Sequence, residues 1–487
     1  MKSYITKRGY VLLKSEYDNE TLAKIRKDLT VKPNVSTDFC EEIVEYPVFQ
    51  EGSSKMYIPK FYAIKTLGQP CGNKLPESED INLEFQFNLR DNQMIPVNEC
   101  LKSYKEVGGG ILSLGCGQGK TIIALYLIAK LKKKALVIVH KEFLLNQWIE
   151  RINQALPGTR IGRIQGKVYD VENKDIVIGM LQTLSMSKFA LDAFDSFGHV
   201  VIDEAHRIPS QVFSRALNKF NSQYMVGLSA TPTRKDGLTK VLKWYIGDMM
   251  YSSQVANTTD VLVHRYIIES DNIAYNNELT DFKGRVMMPR MINNITEFDK
   301  RTRIIINIIK ETLAEHTDRQ ILVLSDRKNH LNDIYQIATN ESICSVGYYV
   351  GGMKKEALKL SESQQLILGT FAMANEGLDI ETLNCLILAS PKSDVIQAVG
   401  RVLRKVHLEM KPKIVDIVDT FSMFGNQGNK RLKYYKTRGY IITNIDIADG
   451  GEITNTAVLE YCGKEVKAPK PKKRGPTVDL GFSFSCA

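Results

Sequence analysis

The chain has 487 residues, of which 43% are apolar and 25% charged, with a formal net charge of +10. A chain this long exceeds one hydrophobic core, so several domains are expected, and its basic excess permits a polyanionic partner without requiring one. No apolar run approaches the roughly 20 residues of a membrane span, the start lacks the long apolar core of a signal peptide, and the eight scattered cysteines include no C-x-x-C pair, so a membrane protein, a zinc module and a disulfide framework are disfavoured and a reduced, intracellular protein is expected.

Residues 1–84 lack a strand–helix rhythm, and "SSKMYIPKFYAIKTLGQP" (53–70) predicts a compact β-containing accessory domain. Beyond residue 85 the runs "GILSLG" (110–115), "ALVIVH" (135–140), "DIVIGM" (175–180), "HVVIDE" (199–204) and "YMVGLSA" (224–230) are continuous and β-branched, as strands buried on both faces are. Between the first two, "KTIIALYLIAKLKKK" (120–134) reads as an apolar helix with a lysine-rich C-terminal end. Strand, helix, strand at this spacing predicts parallel βαβ units. A second set, "QILVLSD" (320–326), "QLILGTF" (365–371), "CLILAS" (385–390) and "KIVDIVD" (413–419), follows a helical stretch around 299–316. The expected fold class is α/β. Two tandem domains with parallel, helix-flanked sheets occupy 85–255 and 296–445, with a linker at 256–295 and a C-terminal extension at 446–487. Within that extension "KEVKAPKPKKRGP" (464–476) predicts a disordered basic tail.

"LGCGQGKT" (114–121) follows a strand and opens a helix, the context of a phosphate-binding loop, although Leu114 stands where the strict pattern asks for glycine. Gly117, Gln118 and Gly119 would bring backbone N–H groups to the phosphates. Lys120 would neutralise the β/γ-phosphates, and Thr121 would place its hydroxyl on Mg²⁺. About 80 residues on, "VVIDEAH" (200–206) ends a strand in two carboxylates. Asp203 is placed to hold Mg²⁺ and Glu204 to orient and deprotonate the attacking water. Ser229 and Thr231, in "GLSATPTRKDG" (227–237), are hydroxyl residues able to couple γ-phosphate loss to movement. In "QAVGRVLR" (397–404), Gln397, Arg401 and Arg404 share one helix face. Arginines aimed at a γ-phosphate from another domain are the finger arrangement, which predicts ATP held between the two domains.

In this order the motifs resemble those of superfamily 2 helicases and translocases, over about residues 85–420. The resemblance implies two RecA-like domains, ATP and Mg²⁺ as cofactors, and ATP hydrolysis coupled to movement on nucleic acid. In "FNLRDNQ" (87–93) it makes Gln93 the adenine reader. "VIVHKEFLLNQW" (137–148) and "GMLQTL" (179–184) look like nucleic-acid-contacting motifs, and "GTFAMANEGLDI" (369–380) looks like motif V. Gln147, Trp148, Thr183, Arg327 and Thr370 are thereby implied contacts to the nucleic-acid backbone. Gly377 and Asp379 are implied near the nucleotide, and His206 joins Ser229 and Thr231 in coupling.

"NQW", "ATPTRKDG" and the form of "QAVGRVLR" are similar to the TFIIH-type and restriction-type translocases. Lys235 replaces the acid of the TFIIH enzyme's Arg-Glu-Asp element, between Arg234 and Asp236. The N-terminal "GSSKMYIPKFYAIKTLGQP" with "LRDNQ" resembles helicases of large nucleocytoplasmic DNA viruses, among them the poxvirus transcript-release helicase. The expected function is an ATP-dependent DNA helicase or translocase, acting in viral transcription or recombination in the host cytoplasm or nucleus, or, for a viral protein, in the viral factory or virion. DNA is the expected partner, with transcription machinery docking through the N-terminal domain and no membrane. The alternatives are an RNA helicase and a non-catalytic nucleic-acid-binding scaffold.

Overall fold

The computed structural model describes residues 3–33, 45–115, 117–207, 210–219, 221–230, 237–253, 261–376, 378, 380, 382–402, 410–448 and 451–459. Among them no helix is long and apolar enough to cross a membrane.

The N-terminal unit comprises β1 (Ser3–Thr6), β2 (Gly9–Leu13), α1 (Asn19–Asp28), β3 (Thr30–Val31), β4 (Tyr46–Pro47), β5 (Gln50–Glu51), β6 (Lys55–Ile58) and α2 (Lys60–Leu67). Four of its strands form an antiparallel sheet in the order β1-β2-β6-β5. A unit this small buries little by itself, and its apolar residues join those of the next domain in one core, where Leu12, Ile58 and Phe61 pack with Val241 and Tyr245. The Tyr245 hydroxyl donates to the Val48 carbonyl (3.0 Å), and Lys7 pairs with Asp195 at 2.7 Å.

The first α/β domain contains α3 (Asp91–Glu106), β7 (Gly109–Ser113), α4 (Lys120–Leu131), β8 (Ala135–Val139), α5 (Glu142–Ala155), β9 (Ile161–Gln165), β10 (Val168–Asp170), β11 (Ile176–Met180), α6 (Leu181–Met186), β12 (His199–Ile202), α7 (Ser210–Leu217), β13 (Tyr224–Ser229), α8 (Thr239–Ile246) and β14 (Met249–Ser252). The sheet order is β10-β9-β11-β8-β12-β13-β7-β14. All its pairings are parallel except β9 with β10. Every residue of β7, β8 and β12 is buried, so continuous apolar runs form strands covered on both faces. Because β13 lies between β12 and β7, the carboxyl ends of these three strands sit side by side, where open α/β sheets bind ligands.

The second domain contains β15 (Leu262–Ile268), α9 (Met288–Thr296), α10 (Asp299–Glu315), β16 (Ile321–Leu324), α11 (Lys328–Asn340), β17 (Val346–Tyr349), α12 (Lys355–Glu362), β18 (Leu366–Gly369), α13 (Phe371–Glu376), β19 (Cys385–Leu388), α14 (Ile396–Val402), β20 (Lys413–Asp419), α15 (Ser422–Thr437), β21 (Ile441–Ile447) and β22 (Ile453–Leu459). The order is β17-β18-β16-β19-β20-β15-β21-β22, parallel except for β22 against β21.

Two expected boundaries are corrected here. The stretch 256–295 is not only a linker, because β15 pairs with β20 and β21 in the middle of the second sheet. Its "LVHRYII" interrupts the apolar run with His264 and Arg265, and Arg265 is nevertheless buried, with Nε 3.5 Å from Asp416. The extension from 446 likewise supplies sheet, since β21 runs to Ile447 and β22 pairs with it.

Candidate nucleotide and nucleic-acid site

The loop between β7 and α4 is shaped by two glycines with left-handed backbones, Gly117 (φ 77°) and Gly119 (φ 85°). The conformation at Gly119 demands glycine, and a Cβ there, which would lie 2.1 Å from Nε2 of Gln93, would displace that amide. Leu114 turns into the core beside Leu112 and Val226, which removes its side chain from the loop's open face.

The loop is held from three sides. The Gln93 amide donates to the Gln118 carbonyl (3.3 Å) while its oxygen accepts from the Arg90 N–H (2.9 Å). The Gln118 side-chain oxygen accepts from the Gly115 N–H (2.7 Å) and the Ser253 hydroxyl (2.6 Å). Lys120 donates from Nζ to the Leu114 carbonyl (3.1 Å). Sequence reasoning missed Ser253 and Arg90. Ser253 reaches the loop because β14 lies next to β7 and ends beside it; Arg90 was legible only as the N-cap of α3, with its backbone N–H donating to the Gln93 side-chain oxygen.

Asp203 and Glu204 follow β12. Asp203 is 7% exposed. Its Oδ2 accepts from the Trp148 indole N–H (2.9 Å) and its Oδ1 from the Glu204 N–H (2.9 Å). Burial, then the neighbouring Glu204 charge, push its carboxyl up to about 6, against the Trp148 hydrogen bond and the charge of Lys120. Glu204 sits at φ 47°. A non-glycine residue there costs of order 1 kcal/mol, and such outliers cluster at functional sites. Its Oε2 is buried without a hydrogen bond and lies 3.4 Å from Nδ1 of His206, which in turn hydrogen-bonds the Ser229 hydroxyl at 2.9 Å. Thus Glu204, His206 and Ser229 form one contiguous polar chain from β12 to β13. An unsatisfied buried carboxylate oxygen beside a glycine cradle and a lysine fits a site for polyphosphate and a divalent cation.

Trp148 corrects the sequence reading. Expected as a nucleic-acid contact, it is 1% exposed and holds Asp203. The other expected contacts lie at the carboxyl rims or beside them. Gln147 is half-buried on α5. The Thr183 hydroxyl accepts from the Gly166 N–H (2.9 Å) at the β9–β10 turn. Thr370, half-buried, follows β18 and accepts from the Met373 N–H at 3.5 Å. Arg327, following β16, donates from Nη2 to the Pro289 carbonyl (2.8 Å) and from Nε to Asn293. Gln397 is buried and Arg401 half-buried on α14. Thr231, Arg234, Lys235, Asp236, Gly377, Asp379 and Arg404 lie outside the described residues.

Two family models match the chain: the res subunit of type III restriction enzymes over residues 86–234 and the helicase conserved C-terminal domain over 301–406. A protein of Acanthamoeba polyphaga mimivirus named "Putative ATP-dependent RNA helicase L396" is 34% identical over 92% of this chain and 88% of its own length. The chain belongs to the superfamily 2 helicases. As a helicase it is an ATP-hydrolysing enzyme. Other viral relatives of the helicase include an African swine fever virus protein named "Putative ATP-dependent RNA helicase QP509L", 26% identical over 85% of this chain and 84% of its own length. In fold the helicase resembles a Vibrio vulnificus structure titled "The fragment structure of a putative HsdR subunit of a type I restriction enzyme", with a TM-score of 0.54 and 17% identity, covering 76% of this chain and 71% of that one.

Proposed function

We propose that this helicase is a DNA-tracking motor of a DNA virus, in which ATP binds the first domain's carboxyl rim and is hydrolysed with help from the second. The observation that carries the site is the Glu204 oxygen, buried without a hydrogen bond in a strained backbone and 3.4 Å from His206, next to Asp203, on which the charge of Lys120 from the glycine loop acts. Gly117, Gly119 and Lys120 hold the phosphates, and Asp203 and Thr121 would hold Mg²⁺, which would supply positive charge to the phosphates. Glu204 takes the proton from the attacking water, and the water oxygen bonds to the γ-phosphorus as the β–γ bridging bond breaks. His206 and Ser229 pass the change at Glu204 to β13. Gln93 reads the adenine, and the motif resemblance assigns Gly377 and Asp379 to the nucleotide. Gln397, Arg401 and Arg404 complete the site when the domains close, stabilising the charge on the transferred phosphoryl group. Gln147, Thr183, Arg327 and Thr370 face the nucleic-acid backbone, and contacts to phosphates there are sequence-independent.

The mimivirus and African swine fever virus relatives support the viral setting, within which we propose a role in transcription or recombination. Those relatives are named RNA helicases, which favours RNA as the second reading of the track.

The test is steady-state ATP hydrolysis by the full chain, alone and with single-stranded DNA, duplex DNA or RNA, beside Glu204→Gln. Stimulation by DNA that the substitution abolishes is expected. Stimulation by RNA alone would replace the track and keep the motor. No hydrolysis with any polymer would overturn the motor reading.

A further inference from the structure

Between β15 and α9 the chain makes an excursion that the motifs leave unassigned. Since β15 runs parallel to β20, its end at Ile268, opposite Asp419, lies on the carboxyl rim of the second sheet. The excursion therefore starts from that rim. It is firmly anchored. Tyr275 is 1% exposed, packs against Phe298 and Phe421, and donates its hydroxyl to Asp419. Leu279 and Val286 lie against the same core. Asn294 donates to the Ala274 carbonyl at 2.8 Å.

From this base a short hairpin projects. Thr280 bridges Val286, the Asp281 N–H donates to Arg285 O (2.8 Å), and the Gly284 N–H returns to Asp281 O (3.0 Å). The Asp281 carboxylate accepts from the Lys283 and Arg285 N–H groups at 2.8 and 3.0 Å. An aspartate opening the turn and Gly284 at φ 73° closing it are the residues such a turn requires. This turn holds Phe282 93% exposed, with the Lys283 ammonium 5.5 Å from its ring centroid and Arg285 and Arg290 exposed alongside. A phenylalanine so placed adds nothing to the core. Meanwhile Arg327, from the rim after β16, donates to Pro289 O, which follows the hairpin.

An exposed aromatic ring flanked by Lys283 and by Arg285, which also pairs with Asp281 at 3.4 Å, near the rim that the motor reading assigns to the nucleic-acid backbone, is the chemistry of base stacking on single strands. We propose that the hairpin 280–286 is a stacking pin for an unpaired nucleobase, with Phe282 as the platform and Lys283 and Arg285 drawing in the flanking phosphates. This rests on the nucleic-acid motor reading above. Stacking recognises the base and not the sugar, so DNA and RNA strands are both expected to engage it.

The experiment measures binding of the full chain and of Phe282→Ala to fluorescein-labelled oligo(dT), oligo(U) and an abasic strand of equal length. The substitution is expected to weaken oligo(dT) and oligo(U) by roughly 5- to 100-fold, the range of one lost stack. It leaves the abasic strand, the thermal midpoint and the hydrolysis rate without nucleic acid unchanged. Phe282→Trp restores affinity, and its fluorescence is quenched at saturation. Equal affinity of Phe282→Ala and the parent chain for oligo(dT) and oligo(U), or an unquenched Phe282→Trp, overturns the pin. A parent chain that binds no strand at all overturns the motor reading instead.

Discussion

The two α/β domains each place two acids on or directly after the fifth strand of an eight-stranded sheet, and treat them in opposite ways. On β20, Asp419 meets Arg301 at 2.7 Å, and Asp416 meets Arg431 at 2.7 Å with Arg265 at 3.5 Å. All five side chains are buried. After β12, Asp203 makes no ion pair among the described residues and is held by an indole N–H and a backbone N–H, while Glu204 keeps an unsatisfied oxygen. Charge that a fold matches with arginine serves stability. Charge that it buries without an arginine or lysine partner is available to a partner from outside, which in the proposed mechanism is the cation and water of ATP hydrolysis.

The comparison is broken most severely through the matched pairs. Arg301→Ala should lower folding stability by about 3–5 kcal/mol, since it strands a buried carboxylate. Asp203→Asn should leave the thermal midpoint level or higher while ATP turnover disappears. Unfolding curves and hydrolysis rates on the two variants decide it, and an Asp203→Asn chain melting as low as Arg301→Ala would sink the contrast.

Trp148→Phe sharpens the unmatched side. It keeps the apolar packing of α5 and removes one hydrogen bond to a charged group, worth about 1.5–3 kcal/mol. Catalytic efficiency for ATP with Mg²⁺ should fall roughly 10- to 100-fold, and the Mg²⁺ requirement should rise, with nucleic-acid affinity unchanged. Loss of that affinity instead would restore Trp148 as a track contact.

The smallest effect is common to both domains. His199 on β12 and His330 on α11 are buried, and burial holds each at about 3, below the ordinary 6.5. The unfolded chain therefore binds more protons between these values, and stability falls as pH drops through that window. At pH 5 each histidine should cost about 2 kcal/mol relative to pH 7. Denaturant titrations at both pH values check this, and His199→Gln should flatten part of the slope.

Much of the first domain's site was legible because its chemistry is local. Loop, lysine and threonine occupy consecutive positions, and the acid pair ends one apolar run. Trp148 was misread because its partner lies 55 residues away, reachable only because β8 and β12 are neighbours in the sheet. Ser253 was missed for the same reason: its contact with Gln118 spans 135 residues. β15 passed for linker because a buried arginine in a strand looks like an exposed one until Asp416 is beside it.

The sequence alone determined the α/β class, the order of phosphate loop and acid pair, and the family, since these depend on runs and spacings of neighbouring residues. Tertiary structure decided which strands lie side by side. That adjacency gives Asp203 its indole, ties Glu204 to Ser229 through His206, and sends the Phe282 hairpin out from the second domain's rim. Contacts between residues far apart in the chain carry no local signature, and only the assembled sheet brings them within reach.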